Sequence, residues 1–335
     1  MNGAGFRVRA PGRVNLIGDH TDYTGGLVLP MAIDRYLEIR GTYDSGRITL
    51  RSLDETGVVE LPLSIDDPAG VEPPWGRYVA GVVAELRGAA CGFAGEVSTT
   101  IPVGAGLSSS AALEVAAALV CGFAGTALEL AQLCRRAEFR ASGVPCGIMD
   151  QLSIAAGVEG CATLIDCHAL TVSPIPVPQD ADIVVQFVRH RTLAGSEYSE
   201  RVASCAAAEA LIGPLRSATH TALAAIEDAV VRRRAQHVVE ENQRVRDFAS
   251  SLAAGDLAGA GALMVQSHNS LRDLFETSTP AMDAAVRTLV ATPGVFGARM
   301  TGGGFGGCVV ALTEPGALAT GWVVHPVAGA AMIDP

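Results

Sequence analysis

Apolar and polar residues alternate through Phe6-Arg7-Val8-Arg9, the two-residue period of a half-buried strand, and Ala10-Pro11-Gly12 predicts its end. Strand-like stretches recur at Leu37–Tyr43, Arg47–Ser52 and Gly95–Ile101. Helical patterning runs from Arg77 to Leu86. Ala111 to Gly122 is dense in helix formers, and Thr126 to Phe139 reads as a further helix with Thr126 at its N-cap. Leu152–Gly157 and Ala162–Leu170 follow as helix and strand. Past Pro174 the texture changes. The proline-rich PIPVPQD predicts a connector between lobes. Beyond it lie a strand over Ile183–Arg189 and long helices around Tyr198–Ile212, Thr219–Leu252 and Leu257–Asn269. A glycine-rich strand and turn follows near Ala298–Leu312. This order predicts an α+β class, with two lobes over 1–175 and 176–335 and a cleft between them.

Composition narrows the function classes. The 335 residues are 49% apolar, enough for a sizeable core without disulfides or structural metal. Glu, Arg or Gly breaks every apolar stretch before it reaches the roughly 18–20 residues of a membrane span. The start, MNGAGFRVRAPGR, carries no apolar secretory segment. Eight scattered cysteines with no C-x-x-C pair suggest reduced thiols, so a cytoplasmic location is expected. A formal charge of −11 disfavours nucleic-acid binding. The one basic run, Arg232-Arg233-Arg234, is followed by Glu240 and Glu241 and reads as a solvated helix face. There is no lysine; all 24 basic residues are arginine. Any mechanism built on a P-loop lysine, a protein-kinase strand lysine or a Schiff base is therefore excluded.

Four segments carry candidate chemistry. In IPVGAGLSSSAA, Ile101 to Ala112, a strand leads through Gly104-Ala105-Gly106 and Leu107 into Ser108-Ser109-Ser110 and a helix. Glycines let the backbone approach a ligand, and a helix N-terminus offers free N–H groups and a positive dipole end, so the segment suits an anion without any lysine. The plain alternative is an N-capped helix after a glycine turn. APGRVNLIGDHTDYTGG, Ala10 to Gly26, gathers Arg13, Asp19, His20, Asp22 and Tyr23, which suit a polyhydroxylated ligand; a metal site at Asp-His-x-Asp is the rival. In GVPCGIMDQLS, Asp150 sits among apolar residues and needs a partner, for which Arg13 is the natural choice; helix capping is the alternative. GARMTGGGFGGCVV, Gly297 to Val310, has too many glycines for an ordinary strand and fits a backbone lying against another loop. It lacks the βαβ setting of a dinucleotide fingerprint.

These motifs, in this order, resemble the GHMP small-molecule kinase superfamily, and its galactokinase branch in particular. GRVNLIGDHTDY matches the signature G-R-V-N-[LI]-I-G-E-H-x-D-Y at all but one specified position. Pro102 to Ala112, CGIMDQ, MTGGGFGGC, RYVAGV, SEYSERVASC and SHNSLRDLFETS extend the likeness over nearly the whole chain. The resemblance implies an N-terminal mixed lobe, a ferredoxin-like C-terminal lobe and a site between them. It implies phosphorylation of the anomeric hydroxyl of a galactose-like sugar, with ATP as co-substrate and Mg²⁺ as cofactor. By residue it implies Asp150 as the catalytic acid–base residue and Arg13 as the charge stabiliser. Asp19, His20, Asp22, Gly147 and Tyr198 would hold the sugar, and Gly104 to Ser110 the phosphates. Ser110 and Glu138 are the Mg²⁺ candidates, and Trp75 and Tyr78 the adenine ones. A carboxylate beside an arginine is a weak base, so Asp150 is expected to orient the hydroxyl and accept its proton late. Sugar and ATP are the expected partners, in a monomer or weak dimer.

The likeness frays at Asp19, where the signature has Glu, and at Gln186-Phe187, where the family has a polar stretch. Arg189, His190 and Arg191 follow, facing either solvent or a negatively charged sugar. The chain is also a few dozen residues shorter than is usual. Galactokinase is the leading expectation. A sister sugar-1-kinase acting on a uronic acid, arabinose or another galactose-like sugar is the alternative, and a sugar and ATP sensor without catalysis the remote one.

Overall fold

The computed structural model describes residues 3–44, 46–102, 104–190 and 195–334. Its first sheet contains β1 (Gly5–Ile17), β2 (Leu27–Tyr43), β3 (Ile48–Ser52), β4 (Val58–Leu61) and β5 (Phe93–Thr99). Helices α1 (Gly76–Leu86), α2 (Ser109–Val120), α3 (Ala127–Ser142) and α4 (Met149–Ala156) accompany it, and β6 (Cys161–Asp166) and β7 (Thr171–Pro176) extend it. The second half holds β8 (Asp182–Arg189), α5 (Gly195–Ile212), α6 (His220–Leu223), α7 (Ala229–Ala253), α8 (Leu257–Ser270), α9 (Pro280–Val290), β9 (Val295–Met300), β10 (Gly307–Thr313), β11 (Trp322–Val324) and β12 (Ala331–Ile333).

The first sheet runs β12-β1-β2-β5-β3-β4, with β6 on β2 and β7 on β6; the second is an antiparallel β11-β8-β10-β9 sheet. β12 pairs with β1, so the end of the segment expected as the second lobe lies in the first sheet. One apolar cluster joins the halves: Val245 and Phe248 of α7 and Met264 of α8 pack with Val14 and Ile17 of β1. No helix among the described residues is long and apolar enough to cross a membrane.

Local chemistry explains most elements. α3 starts where Thr126 and Glu129 form a reciprocal capping box and stops at Gly143, in the left-handed region. α2 is a buried helix of mostly Ala, Leu and Val, as its composition predicts. Four expectations change. β1 does not end at Pro11-Gly12 but continues to Ile17 past a bulge, where a proline is tolerated. Pro174 and Pro176, expected in a connector, belong to β7, which pairs with β6. The helix expected over 219–252 is broken between Leu223 and Ala229, because Asp228 caps α7 afresh. The basic run on α7 is not a solvated face. Arg234 is 3% exposed, donates to the Leu274 carbonyl and meets Glu276 at 2.6 Å, and Glu241 is fully buried.

Candidate active site

β1 carries Arg13 into the interior alongside the Gly104–Ser110 loop. The Arg13 backbone N–H donates to the Leu107 carbonyl at 3.2 Å, and Nη1 donates to the Gly106 carbonyl at 2.7 Å. The other two guanidinium nitrogens form a fork: Nε and Nη2 donate to Asp150 Oδ1 and Oδ2, each at 2.8 Å. Such bidentate, charge-assisted pairs fix geometry as well as energy. The Ser108 hydroxyl adds a third donor to Asp150, at 2.5 Å, from a residue in the left-handed region with φ 62°. Asp150 thus lies in the first turn of α4, bound to β1 and to the start of α2.

Beyond β1 the chain turns into one wall of the cavity. Asp19 accepts the Gly302 N–H at 2.9 Å and faces Arg299 at 2.5 Å. Burial pushes its carboxyl pKa up, against the pull of Arg299. Asp22 lies so close to Gly147 that a Cβ there would sit 1.9 Å from Oδ2, so any other residue would displace the Asp22 side chain. Burial, with Asp150 nearby, raises Asp22 to about 7. His20 Nδ1 lies 3.1 Å from the Tyr23 hydroxyl, and its ring packs against Phe275 and Tyr198.

The opposite end is made by α2 and α3. Ser110 on α2 and Glu138 on α3 approach to 3.4 Å, hydroxyl to Oε1. Burial raises the Glu138 pKa, and Asp150 adds to the effect. The glycine-rich hairpin between β9 and β10 closes the top: a Cβ on Gly307 would lie 3.0 Å from the Ala105 carbonyl, so the hairpin rests directly on the loop.

These groups line one cavity of about 320 Å³. Of the residues given a catalytic, sugar, phosphate, Mg²⁺ or adenine role, all line it except Trp75, Ala105 and Leu107; Tyr23 does not line it and reaches the cavity only through His20. Ala105 and Leu107 are buried and face the hairpin and Arg13 through their carbonyls, while the Trp75 indole N–H donates to the Thr56 carbonyl. Tyr78 lines the cavity, as do Cys146, Met149 and Gly303, which the motifs did not single out. Arg189 and His190 do not: Arg189 pairs with Gly307, and His190 Nδ1 lies 3.3 Å from where Gly104 would carry a Cβ. Phe187 packs on His190, with ring centroids 5.0 Å apart. Arg191 lies outside the described residues.

A supporting network behind the wall went unread in the sequence. Arg299, fully buried, stands 2.5 Å from Asp19 and 4.0 Å from Glu241. Glu241 accepts the Gly18 N–H at 3.0 Å, the Ser267 hydroxyl, and Arg244 Nε at 2.7 Å. His237 donates from Nε2 to the Asp19 carbonyl at 3.2 Å, leaving Nδ1 to accept from Ser270. Burial lowers the His237 pKa to about 4, so it is neutral there. Arg299 lies on β9 within the glycine-rich motif, but neither it nor Glu241 carries a sequence signal for this contact.

The "Galactokinase galactose-binding signature" matches residues 2–39, the "GHMP kinases N terminal domain" residues 77–158, and "GHMP kinases C terminal" residues 248–320. Galactokinase of Bos taurus is 42% identical over 331 residues, 92% of this chain and 84% of that protein. The chain belongs to the galactokinase family of GHMP kinases. Galactokinase of Mycobacterium bovis (strain BCG / Pasteur 1173P2) is 44% identical over 324 residues, 90% of this chain and 87% of that protein. The crystal structure of Lactococcus lactis galactokinase complexed with galactose superposes with a TM-score of 0.90 at 32% identity, covering 98% of this chain and 95% of that one. The two-lobed GHMP kinase fold expected from the motifs is the one observed, and the protein is a sugar kinase.

Proposed function

We propose that this protein transfers the γ-phosphoryl group of ATP to the C1 hydroxyl of galactose. The observation that carries the reading is the Arg13–Asp150 fork, placed in one cavity between the Asp19–Asp22 wall and the Gly104–Ser110 loop. Asp19, His20, Asp22, Gly147 and Tyr198 hold the sugar. The loop amides and the start of α2 take the phosphates, with Tyr78 toward the adenine. Trp75, which hydrogen-bonds Thr56 instead, has no support for that role. Three donors already satisfy the Asp150 carboxylate, so its first task is to accept the C1 hydroxyl and align it. As the C1 oxygen bonds to the γ-phosphorus and the bond to the β–γ bridging oxygen breaks, the hydroxyl proton passes late to Asp150 and then to water. Arg13 stabilises charge on the transferred group.

Ser110 and Glu138 are the Mg²⁺ ligands in this reading. Their oxygens suit a hard cation, and Glu138 is held in an acidic setting that a cation would relieve. Among the described residues no three His, Cys, Asp or Glu side chains gather as a cage, so water and nucleotide oxygens would complete the sphere. Bound there, Mg²⁺ would neutralise charge on the β- and γ-phosphates.

A neutral sugar fits better than a uronic acid. Asp19, Asp22, Glu138 and Asp150 line the cavity, Arg189 does not, and His190 stands beside Gly104 of the phosphate loop. The site is complete within one chain, which supports a monomer or weak dimer, and eight free thiols support a cytoplasmic location. The test is ATP consumption with galactose, galacturonate, arabinose, glucuronate and N-acetylgalactosamine. Galactose is expected to turn over fastest. Robust turnover of a uronate with none of galactose would overturn the reading, and sugar binding without any turnover would favour a sensor.

A further inference from the structure

Behind Glu138 lies a polar cluster that the proposed mechanism leaves unused. Gln151 and Glu114 are fully buried and neither lines the cavity. Gln151 Nε2 donates to two carboxylates at once, to Glu138 Oε2 at 2.5 Å and to Glu114 Oε2 at 3.1 Å. The Cys146 thiol donates to the same Glu138 oxygen at 3.3 Å. Glu138 is therefore divided: Oε2 belongs to the protein, and Oε1 faces Ser110. Glu114 decides which way the Gln151 amide points, because a flipped amide would set its carbonyl against both carboxylates.

Glu114 Oε1 and Gln151 Oε1 are buried with no hydrogen-bond partner among the described residues, and such groups cost stability. The elements involved are those of the site itself. Glu114 follows Ser110 by one turn on α2, and Gln151 follows Asp150 on α4. Partners of this kind, one step behind a metal ligand, orient it and commonly change metal affinity about 10–100-fold when removed.

We infer that Gln151, braced by Glu114, is a positioning residue that presents one oxygen of Glu138 to the cation and keeps the other for the protein. The inference rests on reading Ser110 and Glu138 as the Mg²⁺ ligands, and the experiment separates the two. Calorimetry on the full chain measures the affinity for the imidodiphosphate analogue of ATP with and without Mg²⁺, and the ratio isolates the metal's share. Glu138→Gln is expected to collapse the ratio. Gln151→Met is expected to lower it about tenfold or more, with metal-free analogue and galactose affinities unchanged. Glu114→Leu should lower it in the same direction, whereas Glu114→Gln, which keeps an acceptor for the amide, should stay within about threefold of the parent. A ratio unchanged in Gln151→Met but lost in Glu138→Gln would overturn the inference and leave the metal reading standing. A ratio unchanged in Glu138→Gln would overturn both. If Gln151→Met does not fold, the two Glu114 variants decide, and equal ratios in both would overturn the inference.

Discussion

On the Asp19 side of the cavity, the buried carboxylates of Asp19 and Glu241 face guanidinium groups; on the opposite side, buried Glu114 and half-buried Glu138 face an amide, a hydroxyl and a thiol. At Asp19 burial still pushes the pKa up against Arg299, but at Glu241 the electrostatic result is opposite to that at Glu114 and Glu138. Burial works against charge on Glu241, but Arg244, His237 and Arg299 overcome it and hold the pKa at about 2. At Glu114 and Glu138 burial prevails, and both are pushed up. Glu241, whose cation is built in, is a structural fixture, whereas Glu138 lines the cavity with no built-in cation and, in the proposed reading, receives one with the nucleotide. The contrast is consistent with the proposed division of the cavity into a sugar side and a metal and phosphate side.

The largest test of this contrast is Arg299→Met. It leaves Asp19 and Glu241 buried without their shared cation, so urea unfolding should show a loss of about 3–5 kcal/mol. A loss under about 1 kcal/mol would mean that the network is not what holds the wall. Asp150→Asn comes next: turnover is expected to fall about a hundredfold or more, with the circular dichroism spectrum unchanged. Near-full turnover would remove Asp150 from the chemistry.

Acidity sharpens the comparison further. Glu241, with its pKa lowered, contributes stability that is present above the ordinary carboxylate range and lost as pH falls toward about 2. Asp22, raised to about 7, has the opposite sign: its contribution is present below the ordinary range and lost as pH rises through about 7. Thermal melts of the free protein should therefore show the advantage of Asp22→Asn over the parent growing from about pH 5 to about pH 8. A pH-independent difference would assign the slope to another group. The smallest effect expected is that of Thr126→Ala. It breaks the α3 capping box, far from either cluster, and should cost about 1 kcal/mol without altering galactose affinity.

Local signals explain what was legible beforehand. The Thr126 cap, the Ala-rich α2 and the alternation at Phe6–Arg9 are written within a few residues, and the structure keeps them. The Arg13–Asp150 pair was also foreseeable, since a carboxylate among Ile148, Met149 and Leu152 requires a cation. Elements whose reason lies elsewhere were not. Pro176 reads as a connector until Cys161 is seen opposite it, and Arg234 reads as a surface charge until α7 packs over Phe275 and Glu276. Arg299 and Glu241 offer no local sign of facing Asp19, and Gln151 stands in CGIMDQ with no local sign of its partners. The departure at Phe187 had suggested a change at the sugar; the structure packs it on His190, beside the phosphate loop.

The span of the contacts that make the wall has a consequence for biosynthesis. Asn15 exchanges hydrogen bonds with Thr301, 286 positions away, and the Gly302 N–H that holds Asp19 comes from 283 positions away. A ribosome that has made the whole first sheet up to β7 has still not made the groups that neutralise and orient Asp19. Contacts so distant in sequence close late. A growing or prematurely ended chain therefore carries the signature residues without a finished cavity, because the hairpin between β9 and β10 that meets Asp19 and the Gly104–Ser110 loop is still missing.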